Sequence, residues 1–442
     1  RTSNTLFSIV IGKLKIGKDV YLSNKNIKLT NYLGTKISSM KNKLTVVFVL
    51  FLTYINSLYA QTLEFGGEIR NRGEVWSGFK KPLADSLDAL YVHNLRVRAY
   101  GTYSSPKVKA RITVQDSKIF SSDHSVRTDN FLGIYEAWGE YAFTPEFSAV
   151  AGRQILEYDD NRLFSAGNWS NTPNSHDALR LKYESAGFKV HVTGAWKNAS
   201  ESLYDASKSY ESLFFGWGSY AFQNFNITGI WVNEGFKREK EQTGSSGTAI
   251  YRNTVGANIG MKNSEIPFSF FATGYYQFGY DRSDKKLDAF LLALKTQYQF
   301  SDKVTATVGG DYFSGSKYDV SENKNYTFNK LYGSNHSFNG SMEYWSTLPS
   351  QGLIDIYGGA DVKVNSKLSF SGSFHTFLTA QEVQDRKSRG IGSGFDFLAD
   401  YKLSRSFSFQ AGWSAYFKNK GTDILKKQVG VDTRFPQWAY LM

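Results

Sequence analysis

The sequence of 442 residues contains no cysteine, and this absence removes several kinds of chemistry at once. Disulfide bonds, thiolate metal sites, cysteine nucleophiles and the lipid-modified cysteine of a lipoprotein are all excluded. Proline is scarce, with seven residues, whereas 39 glycines, 34 phenylalanines and 28 tyrosines are present. Aromatic residues suit strands and glycine suits tight turns, so this composition favours β-structure over helices.

Sequence motifs of familiar active sites are also missing. The six histidines stand singly, and the chain has no HExxH, no GxSxG and no phosphate-binding loop motif. We therefore predict that the protein is not an enzyme and that it uses neither a metal nor another cofactor. Asp159 and Asp160 are a weak candidate for Ca²⁺, because two acids beside asparagine-rich sequence are usually a solvated loop.

The basic character of the chain comes mainly from its first residues. The formal net charge is +12, but residues 1–60 hold nine Lys and Arg against Asp19 alone. The remaining sequence carries 43 Lys and Arg against 39 Asp and Glu, a net of +4. A surface that binds a polyanion would carry its charge in the folded body. No nucleic-acid partner is therefore predicted.

A secretory signal peptide is predicted at residues 40–60. Two lysines follow Met40, an apolar run covers residues 44–52, and residues 58–60 form a plausible cleavage site. The apolar run is shorter than the about 20 residues that a transmembrane helix needs. Residues 1–39 are interpreted as an upstream, dispensable leader outside the fold.

The body of the chain, residues 61–442, repeats one pattern. Runs of about 9 to 16 residues alternate apolar and polar side chains and then end in a turn. In residues 406–417, for example, apolar side chains take every second position from Phe407 to Phe417. Because successive side chains of a strand point to opposite faces, one face meets an apolar medium and the other a polar one. Membrane-crossing strands need about 9 to 11 residues, so the length of these runs favours a membrane barrel.

Eighteen such runs can be counted, and their connections alternate between tight turns and long polar loops. Ser105-Pro106 and Asn365-Ser366 are examples of the turns, and 158–174 and 315–350 are examples of the loops. Short periplasmic turns, long external loops and an even strand number are typical of bacterial outer-membrane barrels. We therefore predict an all-β, transmembrane, antiparallel up-and-down β-barrel of about 18 strands in the outer membrane of a Gram-negative bacterium. The strands are predicted at 62–77, 89–104, 107–119, 130–143, 146–157, 175–185, 187–197, 211–222, 224–236, 249–262, 266–280, 286–300, 303–314, 351–364, 367–380, 391–402, 406–418 and from 434 onward.

The same alternation places charged side chains of the first strands in the lumen. Guanidinium groups stay charged and hold carboxylates in a two-pronged geometry, so an arginine-bearing wall suits anion conduction. Alternatively, these residues pair with Glu64, Glu68, Glu74 and Glu184 and only brace the wall, and both interpretations stay open. The predicted lumen cations are Arg70, Arg72, Arg96, Arg98, Lys109, Arg111, Arg180 and Lys182.

Several segments resemble the alginate-export outer-membrane porin family. The likeness runs in order through most of residues 61–442. Its first block consists of Gly152-Arg153-Gln154, YDDNRL from Tyr158, GNWSN from Gly167 and HDALRL from His176. A second block consists of FNKLYGSNH from Phe328 and FNG from Phe338.

This resemblance implies an 18-stranded monomeric barrel with an electropositive pore, through which an anionic uronate polysaccharide such as alginate leaves the periplasm. The implied function is a porin-like channel for diffusion or export of anionic solutes. The implied partners are outer-membrane lipid, an anionic saccharide or small anionic solute, and the barrel-assembly machinery. The pore-lining role carries over to the matching positions Arg70, Arg72, Arg96, Arg98, Arg153, Arg162, Asp177 and Arg180.

Two departures and two rival functions accompany this interpretation. The sequence ends at Met442, part-way into the predicted closing strand and without a terminal aromatic residue, which we interpret as a truncated or atypical end. Strand one would then have an incomplete partner and an open edge that lipid cannot satisfy. The rival functions are an outer-membrane barrel enzyme, which needs a Ser or Asp beside a His, and a plugged structural or adhesive barrel.

Overall fold

Eighteen antiparallel strands form one closed barrel in the computed structural model, which describes residues 14–15, 61–120, 132–196, 210–237, 249–318, 323–384 and 388–442. Each strand pairs with the next, and the last strand pairs with both the first and the seventeenth. The predicted fold class is confirmed. The strands β1 to β18 are Thr62–Ser77, Leu90–Ser104, Val108–Phe120, Gly133–Ala142, Phe147–Gln154, His176–Glu184, Phe188–Trp196, Ser212–Phe222, Phe225–Lys237, Ala249–Lys262, Phe268–Tyr280, Lys286–Gln299, Val304–Phe313, Leu353–Lys363, Leu368–Leu378, Gly390–Lys402, Ser408–Phe417 and Gln437–Leu441.

The other regular elements are small. One helix, α1 (Lys420–Leu425), begins after Asn419, whose side chain accepts hydrogen bonds from two N–H groups of the first turn. The two-residue strands Leu14–Lys15 and Lys324–Asn325 pair with β1 and β12. No helix in the described part of the chain is long and apolar enough to span a bilayer.

Tight hydrogen-bonded turns join strands at one end of the barrel. The Ser105 N–H donates to the Val108 carbonyl at 2.8 Å, and the Ser185 N–H donates to the Phe188 carbonyl at 2.8 Å. The longer connections lie at the other end. In outer-membrane barrels the tight turns face the periplasm, and this end is called the periplasmic end below.

Every second residue of a strand lies on the outer face of the barrel, and most of these side chains are apolar. In β12, Leu292 and Leu294 are 55% and 49% exposed, whereas Leu291, which points to the opposite face, is fully buried. Aromatic side chains such as Tyr298 and Phe300 stand on this face near the strand ends. A closed sheet satisfies its backbone internally, so such a face can be covered by lipid.

Strand ends differ from the predicted ones by a few residues, and two cases have a clear cause. β5 ends at Gln154 instead of residue 157, because Leu156 and Tyr158 leave the sheet and pack in the core inside the barrel. β18 begins at Gln437 instead of residue 434, because Pro436 has no N–H to donate to a neighbouring strand.

The seam between β17 and β1 is shared by two segments. β18 covers residues Gly73–Ser77 of β1, and Leu14–Lys15 pairs with Glu64 and Phe65 lower on the same edge. Next to the seam, Met442 and Gln410 exchange two backbone hydrogen bonds of 2.8 Å. The expected open edge of strand one is thus covered in part. Apart from Leu14–Lys15, the predicted leader and signal peptide lie outside the described residues.

We expect Leu292→Arg to destabilise the folded barrel by about 2–4 kcal/mol, the cost of a cation on the lipid face near the bilayer midplane. The matched control is Gln297→Arg, which places the same charge on the lumen face of β12. Urea-induced unfolding from phospholipid bilayers measures both variants. Equal destabilisation by the two substitutions would contradict the assigned faces.

Candidate functional site

Two long connections turn back into the barrel and meet inside it. Loop A (residues 155–175) joins β5 to β6, and loop B (residues 314–352) joins β13 to β14. The Tyr332 N–H donates to the Leu163 carbonyl at 2.9 Å, and the Tyr332 carbonyl accepts from the Ser165 N–H at 3.1 Å. Both segments, predicted as external loops, therefore narrow the lumen.

An apolar patch on the lumen wall holds both loops. Phe164 of loop A packs on Phe215 with ring centroids 4.7 Å apart, and Phe328 of loop B packs on Phe313 at 6.1 Å. Burying one such side chain stabilises the packed state by about 1.5–3 kcal/mol. This part of the lumen is a hydrophobic core, whereas a polar lumen face was expected. The wall residues of the patch, each at most 1% exposed, are Leu213, Phe215, Val232, Ala289 and Leu291.

Arg162 fixes loop A to the wall strand β13. Its guanidinium donates to both carboxylate oxygens of Asp311 at 2.7 and 2.8 Å and to Asp160 at 2.7 Å, and it lies over the ring of Phe338. Burial alone lowers the pKa of Arg162, but the two carboxylates raise it above its usual value. The Arg162 guanidinium therefore stays charged, and its contacts with Asp311 hold loop A on the wall.

Lys330 of loop B lies in the same interior. Its Nζ is buried and has no hydrogen-bond partner among the described residues. Burial, and then the nearby charge of Arg162, lower the pKa of Lys330 to about 8. Part of the positive charge inside the barrel is thus carried by a loop, at a position that strand alternation does not reveal.

The predicted lumen arginines of β1 and β2 form a clamp on loop A. Arg70 and Arg96 both donate to the Asn168 carbonyl, at 2.6 and 2.8 Å, and Arg72 donates to the Trp169 carbonyl at 3.0 Å. Arg98 donates to the Asn168 side chain at 2.9 Å. These four guanidinium groups face the lumen as predicted, but they bind the protein's own loop.

Glutamates complete the clamp. Glu68 lies 2.6 Å from Arg96, and Glu74 lies 2.8 Å from Arg72. Arg70 and Arg96 are almost fully buried. Of the two interpretations left open by the sequence, bracing describes the contacts of these four arginines best.

Arg111 and Arg180 differ from the clamp because neither donates to Asn168 or Trp169 of loop A. Arg111 pairs with Glu136 at 3.0 Å, and its side chain remains 28% exposed. The Arg180 guanidinium lies 3.5 Å from the Tyr158 hydroxyl. These are the predicted lumen arginines whose charge is best placed to meet a solute.

Arg153 and Asp177 form an ion pair on the outer face. Their closest atoms are 2.7 Å apart, and the side chains are 43% and 58% exposed. Asp177 shares its face with Leu179 and Leu181, which are also exposed. The pore-lining role carried over from the family likeness is therefore corrected at these two positions. Because side chains of a strand alternate between the two faces, Asp177 must share the outer face with Leu179 and Leu181.

A cavity of about 1030 Å³ lies between the loops and the inward faces of β8–β18, and it reaches turn residues of the periplasmic end. Its lining includes Asp311, Asp355 and Asp396 on the wall and Asp159 and Asp160 on loop A. Burial raises the pKa of both loop A aspartates. These two acids, considered as a weak Ca²⁺ candidate, are thus interior groups, and no cluster of three or more His, Asp or Glu suited to a metal is found among the described residues.

His375 contacts Ser373 and Asp355 in an arrangement that resembles a catalytic triad. Nδ1 lies 3.0 Å from the Asp355 carboxylate, and Nε2 lies 3.3 Å from the Ser373 hydroxyl. A serine nucleophile needs an imidazole nitrogen that is free to take its proton. Nε2 also faces the Asp396 carboxylate at 3.8 Å, so the imidazole bridges two acids. This geometry favours a polar tie between strands over hydrolysis.

Residues 61–418 match the family model described as alginate export. The chain belongs to the alginate export family. This family membership agrees with the resemblance read from the sequence and covers β1 to β17. No curated protein matches the chain.

Solved outer-membrane barrels show the same fold. OccK5 (OpdH) of Pseudomonas aeruginosa is 9% identical with a TM-score of 0.55, over 85% of this chain and 96% of that one. OccAB4 of Acinetobacter baumannii is 11% identical with a TM-score of 0.55, over 86% and 97%. The outer membrane protein OprD from Pseudomonas aeruginosa is 12% identical with a TM-score of 0.54, over 86% and 92%. With the family and the closed barrel, this chain is an outer-membrane porin-like channel.

Sequence reasoning missed the acidic wall and the apolar lumen patch, although both left a signal. Asp355 lies between Ile354 and Ile356, so alternation alone would have turned it inward. The unbroken apolar run 289–294 indicates a strand that is buried on both faces.

We expect Asp311→Asn to raise the single-channel conductance and its noise, because Arg162 loses its bidentate partner and loop A loosens. Breaking a buried ion pair in this way costs about 3–5 kcal/mol. Planar-bilayer recordings measure the change. Asp302→Asn, in an exposed periplasmic turn, is the control, and a conductance of the Asp311 variant equal to that control would argue against the anchoring role.

Proposed function

We propose that this channel conducts anionic solutes across the outer membrane, by diffusion or export, with uronate saccharides as the favoured class. The observation that carries the proposal is the excess of cationic side chains on one half of the lumen wall. A lumen wall of one sign concentrates solutes of the opposite sign. The family description, alginate export, agrees with a carboxylate-bearing saccharide.

The cationic half is formed by the inward faces of β1–β7. Nine Lys and Arg side chains lie there against six Glu, so pairing leaves a positive remainder. The cations are Arg70, Arg72, Arg96, Arg98, Lys109, Arg111, Arg180, Lys182 and Lys189. The acids are Glu64, Glu68, Glu74, Glu136, Glu140 and Glu184.

Arg111 and Arg180 are the residues proposed to meet the solute. A guanidinium group stays charged and can exchange a hydroxyl or water for the two oxygens of a carboxylate. The clamp residues act indirectly, because Arg70, Arg72, Arg96 and Arg98 position loop A. Arg162 has the same positioning role on the opposite wall.

We expect the double variant Arg111→Gln/Arg180→Gln to lose most of the anion preference, because it removes the two arginines of this wall that do not hold Asn168 or Trp169 of loop A. The reversal potential in a KCl gradient and the permeation of glucuronate relative to glucose measure this preference. Arg153→Gln removes one equal charge from the outer face and is the control. Wild-type cation selectivity, or an unchanged double variant, would refute the proposal.

The two loops inside the lumen favour a plugged structural or adhesive barrel as the second candidate. Loop A and loop B bond to each other across the interior. A purified, folded protein that shows no openings in a planar bilayer would support this candidate and exclude the channel.

We also propose that residues 40–60 are removed as a signal peptide after a leader of residues 1–39, leaving residues 61–442 as the barrel domain. This removal would also take away the two-residue pairing of Leu14–Lys15 with β1. The barrel-assembly machinery would then insert that domain as a monomer. Closure of the wall by β1 and β18 of one chain supports the monomer, since no second chain is needed to complete the sheet.

A further inference from the structure

The cavity between the loops and β8–β18 has the opposite electrostatic character to the β1–β7 wall. Its lining contains seven Asp and Glu side chains against three Lys and Arg. Anion conduction alone does not require such a surface, because carboxylates repel an anionic solute. The acidic cavity therefore needs its own explanation.

Two charge networks at this cavity each contain one carboxylate more than basic groups. Arg162 pairs with Asp160 and Asp311, and both pairs are 2.7 Å apart at their closest atoms. The imidazole of His375 lies between two carboxylates as well, with Asp355 at 3.0 Å and Asp396 at 3.8 Å. The ion pairs of each network thus leave one carboxylate in excess, although the buried Lys330 beside the first network offsets part of its negative charge.

Two other carboxylates of the lining accept hydrogen bonds from neutral donors. Asp159 accepts from the Trp217 indole N–H at 3.0 Å, and Asp361 accepts from the Ser371 hydroxyl at 2.6 Å. Neither is in an ion pair within the described ranges. Their charge therefore adds to the field in the cavity.

Unpartnered acceptor oxygens give an independent sign of a missing donor. Asn339, which is 2% exposed, lines the cavity and donates from Nδ2 to Asp355 at 3.4 Å, while its Oδ1 has no hydrogen-bond partner in the described structure. Oδ1 of Asp160 is likewise buried and has no hydrogen-bond partner in the described structure. A buried acceptor without a partner is costly, so a hydrogen-bond donor in this cavity would be stabilised.

An ammonium group fits these features better than a metal ion. It carries a positive charge and three N–H donors, which can reach several separated acceptors at once. A divalent cation requires its oxygen ligands close together, and the described residues contain no such cluster.

We propose that this acidic cavity is a subsite for the ammonium group of the conducted solute, with Asp396 as the accessible carboxylate and the buried Asn339 and Asp355 behind it. The solute then carries an amine as well as the carboxylate on which the proposed anion conduction rests. The carboxylate would follow the Arg111 and Arg180 side of the lumen, while the amine would follow the acidic side. Solutes with both groups would be selected over simple anions.

The test uses the full chain in liposomes and compares the permeation of glucosamine with that of glucose, which differ by one ammonium group. We expect faster entry of glucosamine at low concentration. Asp396→Asn, which keeps an oxygen for the Ser341 N–H, should lower the glucosamine-to-glucose ratio about tenfold, the effect of one hydrogen bond to a charged group.

Asp288→Asn is the matched control, because Asp288 lies on the outer face and accepts from the Tyr276 hydroxyl at 3.1 Å. Heat-dependent gel mobility verifies that each variant is folded. A ratio of one in the wild type, or equal ratios in the Asp396 and Asp288 variants, would overturn the subsite. Inhibition of glucosamine entry by millimolar CaCl₂ without any preference over glucose would assign the cavity to a metal and overturn it too.

The ammonium subsite and the proposed anion conduction can be tested independently. Glucuronate permeation and the reversal potential report on the Arg111 and Arg180 side, which Asp396→Asn leaves intact. Loss of anion preference with a preserved glucosamine preference would refute the proposed function alone. The reverse result would refute the ammonium subsite alone.

Discussion

The structure depends on one constraint: a chain surrounded by lipid must satisfy its backbone N–H and C=O groups internally. Antiparallel pairing of β1 to β18, closed by the contact of β18 with β1, meets most of this requirement within one sheet. Pairing in turn sets the period of two, so every wall residue is committed to lipid or lumen. All later features, including the clamp on loop A and the acidic cavity, are built on the lumen half of that division.

Two loops that fold inward determine the shape of the lumen. Loop A is held on one side by guanidinium groups of β1 and β2, and on the other by the Arg162 pair with Asp311. An apolar patch under Phe164 and Phe328 fixes the remaining contacts. Because hydrogen bonds to charged groups are strong in a low-dielectric interior, these loops form a defined constriction. The arginines that position it have little capacity left for a solute.

Charge is divided across the lumen. The β1–β7 wall keeps a positive remainder after pairing, whereas the cavity against β8–β18 has more carboxylates than cations. A solute crossing this barrel meets a field that changes sign across the pore. The net charge of the chain says little about such selectivity, because it averages two opposite surfaces and includes the nine Lys and Arg of residues 1–60.

The sequence by itself determined the strands, their number and the side on which most wall residues lie, since a period of two is a local property of the chain. The prediction for Arg70, Arg96 and Arg111 followed from their neighbours alone. The prediction was wrong for Arg153 and Asp177, which were assigned to the pore from the family likeness and not from the alternation. Only the tertiary structure decided what the lumen contains. A polar loop has the same composition whether it lies outside or folds inward, and the contact of Arg162 with Asp311 joins positions 149 residues apart.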